Sequence, residues 1–125
     1  MLVLHAGFFL AAAGFLAVGA HGLWPSSAPY AAGVHEWAVG AIGVMTFAMM
    51  IRATLGHGGR ALVASKGTLF ANLCVVAALL ARIAMAFLPD LALPLMDVAA
   101  AAWLLAFAVF LVVYGPMLIR RSGRG

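Results

Sequence analysis

Carboxylates are nearly missing from this chain: Glu36, Asp90 and Asp97 are the only three in 125 residues, and none forms a pair suited to acid–base catalysis. No activated nucleophile is evident either. Charged residues make up 8% of the chain against 67% hydrophobic ones, with a mean hydropathy of +1.18. That excludes an ordinary soluble domain, which runs about half apolar and a quarter charged. A single cysteine, Cys74, excludes an intrachain disulfide. Set among Leu73, Val75 and Val76, it reads as a small buried apolar residue. Linkers, low-complexity stretches and internal repeats are also lacking, so residues 1–125 read as one domain.

What is present is apolar sequence cut into four runs by its breakers. They extend from Leu2 to Leu23, Tyr30 to Leu55, Thr68 to Leu88 and Leu95 to Leu118. Each meets the requirement of about 20 residues for a helix to cross a bilayer core. The short connections predict an all-α, integral membrane bundle of four antiparallel transmembrane helices. Arg60 and Lys66 fall on the same side as Arg120, Arg121 and Arg124, opposite Asp90, Asp97 and Glu36. By the positive-inside rule both termini are cytoplasmic, in a multi-pass protein of a bacterial inner membrane. The net charge of +4 lies on span flanks, so the tail reads as an anchor to lipid headgroups and no nucleic-acid partner is expected. Val18-Gly19-Ala20 resembles a signal-peptide cleavage site, but no positive charge precedes the run and the run is long, so it is kept as the first helix.

Helix contacts in lipid depend on close approach, which small residues allow. Gly7, Ala11 and Gly14 form such a strip in the first span, Gly40 and Gly43 lie in the second, and Ala99 to Ala102 in the fourth. Trp24, Tyr30 and Trp37 read as an aromatic belt at the outer interface.

Against this background the polar residues of the second span stand out. Arg52, His57 and Arg60 fall close together beside Gly58 and Gly59, and histidine or arginine at such depths needs a partner. His5 and His57 belong near the cytoplasmic surface, His21 and His35 near the outer one. At a constant helical step His35 and His57 share a face with Val39, Thr46 and Met49, yet lie about 33 Å apart, too far for one metal ion. Imidazole suits haem iron, copper or zinc. His5 and His57 are the pair expected at matched depth for a bis-histidine haem, with Arg52 and Arg60 facing its propionates. The bland readings are that Gly58 and Gly59 only end the helix, that the methionines are packing residues, and that Arg82 pairs with Glu36.

The stretch from His35 to Thr46, HEWAVGAIGVMT, and that from Met50 to Arg60, MIRATLGHGGR, resemble the motifs of the NnrS family of bacterial membrane proteins. Weaker similarity covers Leu4-His5-Ala6-Gly7-Phe8, Arg82, Trp103, Phe107 and Tyr114-Gly115-Pro116. Members of that family are longer, and the chain is expected to correspond to their last third only. The resemblance implies a haem- and copper-containing protein that protects bacteria against nitric oxide stress. It selects His5, His35 and His57 as metal ligands, with Arg52 and Arg60 beside the cofactor, and leaves His21 outside. Haem b is the expected cofactor and copper an alternative. Ligands that other spans would supply must come from a second copy or a partner chain, which implies a homo-oligomer or a larger membrane complex.

Three functions follow. The first is a small haem-binding membrane protein of nitric oxide stress or metal homeostasis, as an oligomer or as a subunit of a respiratory complex. The second is a cofactor-free accessory or assembly subunit of a larger membrane enzyme. The third, a redox enzyme in its own right, is disfavoured by the lack of a second metal site within one chain.

Overall fold

A computed structural model describes residues 2–119 and is helical throughout its spans, with no strand among the described residues. Helix α1 is Leu2–Leu23, α2 is Tyr30–His57, α3 is Lys66–Phe87 and α4 is Ala92–Ile119, the last preceded by a 3₁₀ turn at Pro89–Leu91. All four are long and apolar enough to cross a membrane. With an even number of antiparallel spans, the start of α1 and the close of α4 share one end of the bundle, here the terminal end; the other is the distal end. Arg120, Arg121 and Arg124, assigned above to a lipid anchor, lie outside the described residues.

Local chemistry sets the helix limits. Ser65 caps α3, its Oγ accepting from the Thr68 amide at 3.1 Å, because an exposed first turn has amides with no helical acceptor. At the close of α2 the Arg60 amide donates to the Leu55 carbonyl at 3.0 Å and the Gly59 amide to the Gly56 carbonyl at 3.1 Å. This is a Schellman stop, and Gly59 takes the φ of +62° it requires. The expectation that the two glycines terminate the helix holds.

Packing is uneven. α3 packs along α4 and α1 along α2 to a similar extent, α2 touches all three other helices, and α1 lies against α2 alone. The core is formed by Phe47, Ile51, Val75, Ala106, Phe110 and Tyr114 of α2, α3 and α4, with Cys74 buried among them as expected. Phe8, Phe9, Phe15 and Leu16 of α1 are largely exposed. On a spanning helix that is the surface for acyl chains, where apolar side chains cost nothing.

The glycine strip of α1 does what its composition predicts. A Cβ at Gly7 would overlap Met45, and one at Gly14 would overlap the Trp37 indole. Trp37 is therefore no part of an interfacial belt. It turns inward, donating Nε1–H to the Ala11 carbonyl at 3.2 Å and meeting Phe15 edge-on at 4.5 Å. Trp24 and Tyr30 are exposed at the distal end, as a belt requires. In α4, Ala99 is buried whereas Ala100 and Ala101 face outward.

Within α2 the residues Glu36–Gly43 form a π-helix, a feature the sequence reading did not foresee. Small residues make room for it. Gly40 lies under Leu79, and a Cβ at Gly43 would stand 2.9 Å from Trp103. A π turn closes on i→i+5 bonds and takes up more residues than an α turn. The constant step that put His35 and His57 on one face therefore does not hold between them.

Candidate functional site

Contacts between α1 and α2 fix their register. Gly33 meets Val18, Gly14 meets Trp37 and Gly7 meets Met45, so each step down α1 is a step up α2. On that ladder His5 stands opposite Thr46 and Phe47. His57 lies about ten residues further on, or about 15 Å along the axis, beyond the start of α1. His5 and His57 are thus not at matched depth. The bundle does not bring them together as two axial ligands of one haem within a single chain.

Each predicted residue has its own setting. His57 and Arg60 are exposed at the terminal end, on either side of the Schellman stop, and neither makes a side-chain hydrogen bond among the described residues. His5 is exposed on α1 and Arg52 is half-buried on α2; each has an interaction of its own. Arg52 lines a cleft of about 150 Å³ with Val3, Leu4, Ile51, Leu55, Thr68 and Asn72, and Leu62 and Val63 of the α2–α3 connection stand at its edge. The Thr68 hydroxyl is hydrogen-bonded to that of Tyr114, and the Asn72 amide donates to the Thr68 carbonyl at 2.8 Å.

His35 lies at the far end of α2, half-buried, at the residue before the π-helix begins. Arg82 of α3 is within electrostatic reach of it. No ion pair joins Arg82 to Glu36, so the structural pair expected between them is not formed. His21 is accounted for by folding: its Nδ1–H donates to the Ala28 carbonyl at 2.8 Å and its ring meets Tyr30, which fastens the α1–α2 connection. No group of three or more His, Cys, Asp or Glu side chains converges among the described residues.

For a haem, the fit is to half a site. A cleft of about 150 Å³ is smaller than the usual 300–1,000 Å³ ligand pocket, so a macrocycle is not enclosed between these helices. An exposed imidazole beside an exposed guanidinium at the bundle end would nevertheless offer one nitrogen donor to the iron and one partner to a propionate.

Sequence reasoning missed one feature, a larger cleft of about 410 Å³ in the distal half, bounded by α2, α3 and α4, with Arg82 in its wall. Its only sequence signal is an arginine inside an apolar span.

Compared with known families, the chain matches the model of the NnrS protein family over residues 1–122 and belongs to that family. The match runs through all four helices and is not confined to the α2 motifs. The expectation that the likeness is to the family's last third alone is corrected accordingly. No curated protein and no solved structure matches the chain.

Proposed function

We propose that this member of the NnrS family is a membrane protein of the nitric oxide response that holds haem b, or copper in its place, on the terminal face of the bundle, at a site completed between chains. The observation that carries this reading is the exposed pair His57 and Arg60, held on either side of the rigid Schellman stop and directed away from the core. His57 would supply an imidazole to the iron, and Arg60, with Arg52 at the neighbouring cleft, would neutralise the propionates. His5 sits on the same flank but at another depth, so the second ligand comes from another copy or a partner subunit. His35, at the far end of α2, belongs to a different place. Bound haem supplies an iron that takes a small diatomic ligand. The chain's own contribution is to anchor the carboxylates and fix one imidazole, and the exposed face leaves the opposite side open to a second protein. Arg60 on the α2–α3 connection and Lys66 at the start of α3 support a cytoplasmic position for this face and the inner membrane as the chain's location.

The test is a reduced-minus-oxidised spectrum of the protein purified from haem-replete cells, with its oligomeric state measured on the same sample. A Soret band is expected in an oligomer or complex, abolished or shifted by His57→Ala and unchanged in His21→Ala. A colourless, metal-free protein that co-purifies with a larger membrane enzyme supports the accessory-subunit reading instead. An unaltered band in His57→Ala removes the assignment of His57.

A further inference from the structure

The haem reading makes no use of the 410 Å³ cleft in the distal half. Its floor is alanine, from Ala78 of α3 and Ala99 of α4, and its wall is the Trp103 indole, braced on Gly43 and on Phe107 at 5.3 Å. Ala38, Ala100 and Leu104 along its rim are exposed, so it opens sideways to the bilayer and not through an aqueous mouth. One charged group enters it, the half-buried guanidinium of Arg82.

Arg82 has no carboxylate partner among the described residues. Glu36 does not reach it, and Asp97 and Asp90 are exposed beyond the cleft toward the helix ends. It lies five residues before Phe87, the close of α3, or about 7.5 Å below that end. An arginine at such a level within an apolar span is costly unless an anion or a set of acceptors meets it. Guanidinium matches carboxylate geometry with two parallel N–H donors. The volume falls in the ordinary range for a buried ligand, and the lining has the usual character of many apolar groups and one directing polar group.

We propose that this cleft is a binding site for a single-chain amphiphile with a carboxylate head, drawn from the bilayer. The carboxylate pairs with Arg82 and the hydrocarbon tail lies along the alanine floor against Trp103. A two-chain phospholipid is the poorer occupant, since its phosphate resides at the headgroup level above Arg82. The site is separate from the terminal face and does not depend on haem.

Trp103 in the wall makes occupancy measurable. The purified, haem-free protein in detergent is titrated with dibrominated stearic acid and its tryptophan fluorescence followed, bromine being a contact quencher. Saturable quenching is expected, and Trp103→Phe should remove most of it. Arg82→Gln should weaken the apparent affinity roughly tenfold or more, the loss of one charge-assisted pair. Ala100→Leu should weaken it with the charge intact, by filling the rim, which keeps the idea open to test if the Arg82 variant folds poorly. The dibrominated fatty alcohol should quench far less at equal concentration. Equal quenching by acid and alcohol, insensitivity to both substitutions, or tighter binding of a brominated phosphatidylglycerol would each overturn the proposal.

Discussion

At the distal end of α2, Trp37 lies on Gly14 and donates to the Ala11 carbonyl, Gly40 lies under Leu79, and Gly43 accepts the edge of Trp103. At its terminal end, His57 and Arg60 are exposed around a left-handed glycine. In the sequence these ends belong to one nearly continuous motif, from His35 to Arg60. Glycine at the distal end removes side chains so that three helices close on a π turn. At the terminal end it ends the helix and frees two polar side chains from packing. Residues that look equally marked in a string of letters thus divide into those that hold the bundle together and those that it displays.

The comparison is broken most directly at Gly14. Gly14→Val places branched carbon into the indole of Trp37, and overpacking of this kind costs about 1–3 kcal/mol. The upper end is expected, because α1 has no other helix to lean on. Thermal unfolding in detergent should show the loss, whereas Gly19→Ala and Gly22→Ala, with open space around them, should not. If Gly14→Val unfolds with the wild type, α1 is not held by this contact.

Trp37→Phe is smaller. It keeps an aromatic ring over Gly14 but removes the N–H donor, and hydrogen bonds between membrane helices contribute about 1–2 kcal/mol at most. Because the Ala11 carbonyl is also placed to accept from its own helix, the loss should stay near 1 kcal/mol. A drop as large as that of Gly14→Val would mean that indole shape, not the donor, holds the interface.

Much of this was legible. Span number follows from apolar runs of sufficient length, and the strip of Gly7, Ala11 and Gly14 follows from the need for close approach in lipid. The glycine stop at Gly59 follows from chain chirality. Two things were hidden. The π turn over Glu36–Gly43 arises from how three neighbouring helices fit around Gly40 and Gly43, which no property of α2 alone announces. Without it, an α-helical projection puts His35 on the face of His57, and the π turn between them breaks the constant step on which that projection rests. The depth of His5 depends on the register between α1 and α2. That register is fixed by the contacts of Gly33 with Val18, Gly14 with Trp37 and Gly7 with Met45, with His21 fastening Ala28 in the connection, and not by hydrophobicity.

At the terminal end the expected effects shrink. Gly59→Ala forces a Cβ into the left-handed region and should cost about 1 kcal/mol. It should also alter any cofactor spectrum, since the turn separates His57 from Arg60. Gly58, whose φ is −79°, carries no such penalty, and Gly58→Ala should leave both readouts close to wild type apart from a mild contact with the Thr54 carbonyl. If the two alanine variants behave alike, the left-handed turn does not position these side chains.

His57→Ala is the smallest in stability and the most informative about function. An exposed side chain outside the packed layers should change unfolding by less than about 0.5 kcal/mol. His35→Ala, half-buried where the π turn begins, should cost more. The comparison of the two ends therefore predicts opposite rankings from two measurements. His35 should dominate the melting curve, and His57 should dominate the cofactor spectrum. If one histidine dominates both, the ends of α2 do not divide the work, and the site lies with that histidine.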